Sequence, residues 1–487
     1  METKNQLPFI LSDNLACALS DKDSAHIDKI ADKIKAEDPK LATTDYFGSN
    51  VRQGYRPGPV LFYEDHRSIA LSSANSFGHY QYRFLLLARQ DDILLVEHKR
   101  ALKYENYCRN ILKLPSPEII CLDGEYNNSP LAKRCSENTE KLKQIAKIAK
   151  QSGCINIMPY ISTGWTWVLA QRIAEIARVP VYVMAPPPRL TQKTNDKLWF
   201  SERLVECIGH RALPKTYYAF GPASLAIKVS RLAKTHSQIV IKIPSSASSM
   251  GNILISSSKI SNMTLAERVD YLSNLIQFYA SSEIFPLAVS AWDSDVITSP
   301  SLQVWIPRLH QGPPIVEGLF EQALDPKTHA FIGAKPALLQ SKLEIRLIYE
   351  ASMICHLFQK LGYYGRCSID AVVAKSGNRN NIHWIDCNAR WGGVSIPMTA
   401  ANRLTGCWQN NLRIIVQSNI NEHNSSSRDL IDATADLRYN SYSKKEGIVI
   451  MNPPKYENTT YNDYMVFADT KRSENEILHN VKKVLGT

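Results

Sequence analysis

The sequence predicts an α/β protein whose later part is α+β, and three observations lead there. From Pro59 onward, short apolar runs bounded by turn residues (PVLFY, DDILLVEH, EIICLD, INIMPY and VPVYVM) alternate with amphipathic helical patterns such as LKYENYCRNILKL and TWVLAQRIAEIAR, an order that calls for a mostly parallel sheet under helices. After the punctuation MAPPPRLTQ the pattern restarts. Near residue 370 it turns to RCSIDAVVA, a turn-like KSGNRNN and HWIDCNARWGG, the layout of two antiparallel neighbours.

The elements follow in order. Residues 24–36 place Ile27, Ile30, Ala31 and Ile34 at helical spacing behind Ser24 as a cap, which predicts an amphipathic helix packing on something larger. Lys197 in TNDKLWFSERL opens a predicted helix, and IVIKI reads as a strand carrying Lys242. The loop SSASSMGN after it is small and rich in hydroxyls and backbone amides, chemistry that can wrap phosphate oxygens. Apolar periodicity predicts a long helix over 336–361. NEHNSSSRD, residues 421–429, reads as a linker. GIVIMN and YMVFAD read as strands ahead of a helix with a capping box at Ser473 and Glu476.

A length of 487 residues suggests about three domains, and 44% hydrophobic content is ample for packed cores. The net charge of +11 favours anionic partners, but Lys and Arg are spread without a dense basic run, and neither a basic helix nor interleaved aromatics support a nucleic-acid binder. Ten cysteines without a C-x-x-C pair indicate neither a zinc site nor a disulfide framework and fit a reducing cytoplasm. METKNQLPFILSDN lacks a basic flank and apolar core, and no stretch approaches the roughly 20 apolar residues of a membrane span. The chain reads as soluble, cytoplasmic and without a membrane partner.

The chemistry gathers in HWIDCNARWGG. Alternation along a strand puts Asp386, Asn388 and Arg390 on one face and Ile385, Cys387 and Ala389 in a core. An isolated row of this kind is more often the wet side of an edge strand. With Asp370 on the adjacent strand, Asp386 and Asn388 converge with it on one point, and three oxygen ligands on rigid strands suit Mg²⁺. Glu317 and Glu321 could recognise an amine or be merely solvated. His236 and His383 read as satisfied groups, and Trp165 and Trp167 as core.

In order along residues 190–400, NDK with Lys197, IVIKIPSSASSMG with Lys242, SPSLQVWIP, GYYGRCSID with Asp370, and IDCNARWGG resemble the ATP-grasp superfamily. The region before them looks like the pre-ATP-grasp, Rossmann-like domain that usually precedes that two-lobed core. SPSLQVWIP, EGLFEQAL, IGAKPA and the C-terminal strand–helix unit are similar to the peptide-ligase subgroup typified by the pheganomycin enzyme. The resemblance implies an N-terminal helical extension (1–45), a pre-ATP-grasp domain (46–189), an ATP-grasp domain (190–420, lid about 225–305), and a linker with a small C-terminal α/β subdomain (421–487).

It also implies roles. Lys197 and Lys242 would contact ATP phosphates, with Ser245, Ser246, Ser248, Ser249, Met250 and Gly251 in the closing lid loop. Gln303, Val304, Trp305 and Ile306 would form an interdomain hinge presenting backbone groups to the adenine. Asp370, Asp386 and Asn388 would hold Mg²⁺, and Arg390 would face the transferred phosphoryl group. Asp386 stands where the family usually has Glu, and the lid loop leans on serine where glycine is common. The activity implied is an ADP-forming carboxylate–amine ligase passing through an acyl phosphate, with a small-molecule or peptide carboxylate and an amine as partners and room for a homodimer. The alternatives are phosphoryl transfer to a non-carboxylate acceptor and a non-catalytic ATP-binding protein.

Overall fold

In a computed structural model, the described residues are 15–16, 18–67, 69, 78–97, 99–122, 129–243, 251–277, 285–326, 330–376, 379–417, 419–420, 430–440, 445–456 and 459–485. A two-residue strand β1 (Leu15–Ala16) and helix α1 (Asp21–Glu37) come first. The cap of α1 is Ser20, whose side chain accepts from the Asp23 N–H; Ser24, the expected cap, lies inside the helix. Six parallel strands follow: β2 (Val51–Gln53), β3 (Val60–Tyr63), β4 (Ile93–Glu97), β5 (Glu118–Leu122), β6 (Ile155–Pro159) and β7 (Val181–Val183), ordered β2-β7-β6-β3-β4-β5. All five apolar runs expected as strands are strands here. Helix α2 (Gly164–Ala177) buries Trp167, whose indole N–H donates to Ser162 Oγ at 3.0 Å, while Trp165 stays half exposed.

Helices α3 (Pro188–Asn195) and α4 (Lys197–Cys207) lead to a small antiparallel sheet of β8 (Thr216–Ala219), β9 (Gln238–Lys242), β10 (Asn252–Ser256) and β11 (Leu287–Ala291), ordered β10-β9-β11-β8. Helices α5 (Pro222–Ala233) and α6 (Leu265–Gln277) cover it and share its own apolar core, including Leu225, Val229, Ile241, Leu272 and Val289.

A ten-stranded sheet contains β12 (Val296–Thr298), β13 (Pro300–Ile306), β14 (Ile315–Leu324), β15 (Phe331–Pro336), β16 (Gly365–Ser376), β17 (Arg379–Asn388) and β18 (Leu412–Val416). Beyond a small sheet of β19 (Asn419–Ile420), β21 (Lys455–Tyr456) and β22 (Thr459–Tyr461), the strands β20 (Gly447–Ile450) and β23 (Tyr464–Phe467) join the large sheet through β18. Residues 296–305, expected in the lid, thus belong to the large sheet. The C-terminal strands extend that same sheet instead of forming a unit apart. Helix α7 (Ser341–Lys360) packs with α1 and α4 on one face of the sheet, over Leu302, Val304, Ile369 and Cys387. Helix α8 (Ser395–Thr405) and the first domain cover the other face, around Trp305, Phe320 and Trp391. The last helix, α9 (Lys471–Leu485), is capped by Thr470, which exchanges hydrogen bonds with Ser473, so the box lies one turn earlier than Ser473 and Glu476. Among the described residues no helix is long and apolar enough to cross a membrane.

Candidate active site

Strands β16 and β17 are neighbours, with Asp370 directly opposite Asp386 and Ser368 opposite Asn388. The register then slips: Ala371 faces Trp384, leaving Ile385 as the extra residue of a bulge. Trp384, fully buried, takes the core position expected of Ile385, while Cys387 and Ala389 point inward as expected. The bulge lies next to Asp386, a common place for one to re-aim a side chain. Asn388 Nδ2 donates to Asp370 Oδ2 at 3.0 Å, so its Oδ1 remains as a ligand.

Opposite these oxygens stand two lysines. Lys197 opens α4, whose cap is Asp196, the carboxylate accepting from the Leu198 and Trp199 N–H groups at 2.8 and 3.0 Å. Its Nζ lies 3.7 Å from Asp386 Oδ2. Lys242 ends β9, opposite Asn252 on β10 and Ala288 on β11. Both lysines are buried, and desolvation, reinforced by the charge of Lys197, lowers Lys242 to about 8. Asp386 and Asp293 pull the other way. Asp370 is raised to about 6, mainly by desolvation and then by Asp386, against a Ser301 hydrogen bond and the charge of Arg390.

Arg390 lies just beyond β17. Its Nη1 and the Ala389 N–H both donate to Asn195 Oδ1, at 2.9 and 3.0 Å. Next to it, the Trp391 N–H donates to the Tyr160 carbonyl at 3.0 Å, tying this end of β17 to the carboxyl end of β6. Tyr160 stacks on His66 at 4.4 Å. His66 is held low by burial despite its 2.6 Å bond to Glu64, and the charges of Arg83 and Arg390 add to that. Around it, Glu64 pairs with Arg83, and Glu97 with Arg67 and Arg134, at the carboxyl ends of β3 and β4. Such sheet ends are where ligands bind in this architecture.

The expected hinge is not where the sequence suggested. Gln303, Val304 and Trp305 are flanked by β14 on one side and β16 on the other, so their backbone groups are engaged within the sheet and not held for a base, while Ile306 pairs with β16 alone. The side chains of Leu302, Val304 and Ile306 belong to the α7 core. The two sheets are joined instead by residues 292–295, between β11 and β12. There Asp293 Oδ2 meets His383 Nδ1 at 2.8 Å. Gln303 reaches the site face by its side chain, donating to Ser301 Oγ at 3.0 Å.

Ser245, Ser246, Ser248, Ser249 and Met250 lie outside the described residues; Gly251 accepts from the Ile243 N–H at 2.9 Å at the base of that loop. Glu317 is buried in an ion pair with Arg366, and Glu321 accepts from Thr298 and Ser299, so neither is simply solvated. His236 is satisfied by Thr235 and Leu232.

The structure therefore brings Lys197, Lys242, Asp370, Asp386, Asn388 and Arg390 near one another, where β9 of the small sheet approaches β16 and β17 of the large one. Sequence reasoning missed Asn195, Asp196, Ser301 and Asp293, although the first two stand in the quoted NDK. Among the described residues no three His, Cys, Asp or Glu side chains are placed to hold a metal. A hard cation would instead take two carboxylates and the Asn388 amide oxygen. The donor set fits: two directly opposed carboxylates, one of them raised to about 6, crowd negative charge where a cation would relieve it, and two buried lysines, Lys197 being 3.7 Å from Asp386, crowd positive charge where a phosphate would.

Residues 81–175 match a family profile described as the pre ATP-grasp domain. No curated protein sequence matches the chain. Among solved structures, the chain is similar to N5-carboxyaminoimidazole ribonucleotide synthetase complexed with ADP, at 11% identity and TM-score 0.51, covering 88% of this chain and 97% of that one. The biotin carboxylase domain dimer of Hydrogenobacter thermophilus 2-oxoglutarate carboxylase, with MgADP and bicarbonate, matches at 13% identity and TM-score 0.51, over 88% of this chain and 90% of that one. Biotin carboxylase from Campylobacter jejuni, with β,γ-ATP, matches at 13% and 0.50, over 88% and 91%. With the parallel first sheet, the small covered sheet and the large antiparallel sheet in that order, the chain has the ATP-grasp fold behind a pre-ATP-grasp domain.

Proposed function

We propose that the chain is an ATP-dependent carboxylate–amine ligase of the peptide-forming kind, using Mg²⁺ and releasing ADP and phosphate. The reading is carried by one juxtaposition: Asp370 and Asp386 face each other across two strands, with Lys197 3.7 Å from Asp386 and Lys242 near enough to feel both Lys197 and Asp386. Crowding carboxylate against carboxylate and lysine against lysine in a buried site is costly, and the Lys197–Asp386 pair offsets it only in part. A divalent cation between the carboxylates and a triphosphate across the lysines would relieve both. The structures it resembles include ADP and MgADP complexes.

In this reaction a substrate carboxylate attacks the γ-phosphoryl group, ADP leaves, and an amine displaces phosphate from the acyl phosphate to form an amide. No protein nucleophile is needed, so catalysis is charge neutralisation and alignment. Asp370, Asp386 and Asn388 would hold Mg²⁺, which supplies charge neutralisation when bound. Lys197 and Lys242 would hold phosphate oxygens, and Arg390 would face the transferred group. Because β9 carries Lys242 on the small sheet, movement of that sheet about residues 292–295 would bring the lysine in and expel water, as an acyl phosphate requires.

The test is a screen of amino acids and small peptides with Mg·ATP for ADP release, with condensation products identified by mass. Hydroxylamine should trap the acyl phosphate as a hydroxamate. ADP release without hydroxamate or amide would point to phosphoryl transfer to another acceptor; no ADP release with any mixture would sink the enzyme.

A further inference from the structure

We propose that Asn195 is the positioning residue for Arg390, holding the guanidinium off the carboxylates so that it meets the transferred phosphoryl group. The inference rests on the ligase reading of the site. Asn195 is the last residue of α3, and its amide is oriented without ambiguity. Nδ2 donates to the Thr191 carbonyl at 2.8 Å, which turns Oδ1 toward the end of β17. There it accepts two hydrogen bonds, from the Ala389 backbone and from Arg390 Nη1. The reversed amide would set N–H against N–H on one side and oxygen against oxygen on the other.

Arg390 needs such a restraint. Its charge is felt at Asp370, which it helps to keep ionised, and a loose guanidinium beside Asp370 and Asp386 would collapse into a bidentate pair with one of them. That would consume both a cation ligand and the phosphoryl contact. Asn195 prevents this with a neutral acceptor that adds no third negative charge. The Arg390 backbone N–H is also held, donating to the Asn388 carbonyl at 2.8 Å. With both ends fixed, its buried Nε–H has no partner among the described residues and remains as a directed donor.

The same three residues couple the site. Asn195 holds Arg390, Asp196 caps α4, and Lys197, the next residue, reaches Asp386. One helix corner thus sets the spacing between a phosphate lysine, a metal carboxylate and the phosphoryl arginine.

The test compares binding of Mg·ADP with Mg·AMP-PNP, which adds a γ-group, by isothermal titration on the full chain. In Asn195→Ala, preference for the γ-bearing analogue should fall about tenfold or more, as expected for a hydrogen bond to a charged group, with Mg·ADP affinity changed less than about twofold. Asn195→Leu, which fills the same space without accepting, should behave alike. In an Arg390→Ala background the further change Asn195→Ala should leave that preference unaltered, because the two act through one contact. A helix role alone would weaken both nucleotides together and add to the Arg390→Ala loss, and that result, or an unchanged preference in the single variants, overturns the inference. Wild-type protein that binds neither nucleotide overturns the ligase reading, and this inference with it.

Discussion

Lys242 shows how burial sets chemistry at a single residue. Lowered to about 8, it is charged at neutral pH but loses its proton far sooner than an exposed lysine. The sign for binding is direct: nucleotide affinity falls as pH rises through about 8, because the neutral amine no longer pairs with phosphate. For folding the sign is opposite. Between about 8 and 10.5 the unfolded chain holds the proton that the native state has shed, so this group's contribution to stability rises with pH. Lys242→Arg keeps the charge; titration of Mg·ADP against pH should show the alkaline loss near 8 in wild type and its absence in the variant. A loss near 8 in both would assign it elsewhere. Lys242→Ala and Asp386→Ala should each lower ADP release by on the order of 100-fold or more with melting close to wild type, and normal turnover in either counts against the site. Asp386, Asn388 and Arg390 were legible because a period of two is written in adjacent residues. Asn195 was not, since its partner lies 195 positions away and an asparagine before Asp-Lys reads as part of a turn.

At the scale of elements, apolar runs announced five of the six strands of the first sheet, because strands buried on both faces are written as continuous Val, Ile and Leu; β2, the short edge strand VRQ, carries no such run. Irregularities were not announced. The bulge at Ile385 depends on how β17 meets β16, and the mistaken hinge in β13 arose because QVWI looks the same whether a strand is central or exposed at a boundary. Close approach of backbones is another feature hidden from sequence. Gly333 on β15 lies opposite Val416 of β18, and a Cβ built there would sit 2.2 Å from the Ile415 carbonyl oxygen. Backbone oxygen cannot rotate away as a side chain can. Gly333→Ala should therefore cost about 1–3 kcal/mol, read as a lowered urea midpoint, and should loosen the joint through which β18, β23 and β20 attach to the sheet. An unchanged midpoint would mean that β15 and β18 can part at no cost.

Across the whole molecule, the sequence suggested separate pieces where the structure has shared cores. One cluster joins Val60, Phe62 and Phe84 of the first domain to Trp305 and Phe320 of the large sheet, to Trp391 beyond β17 and Ile396 of α8, and to Val449, Met465 and Phe467 of the last strands. Periodicity reports that a face is apolar and is silent about which distant face covers it, so boundaries read from linkers overstate independence. The N-terminal segment makes the point quantitatively. Expected as an extension, α1 places Ile27, Ile30, Ala31 and Ile34 against Leu204 of α4 and Leu347, Ala351 and Ile354 of α7, beneath the strands carrying Asp370 and Asp386. Burying each isoleucine side chain contributes about 1.5–3 kcal/mol, so the three together are comparable with the ~5–15 kcal/mol that holds a typical domain folded. Ile27→Ala should cost about 2–5 kcal/mol, and removal of residues 18–38 should leave a protein without a cooperative melting transition. Ile27 is far from the phosphate lysines, so the point variant should keep wild-type Mg·ADP affinity below its lowered melting temperature. If the helix can be removed with melting unchanged, α1 is an extension that the core does not need.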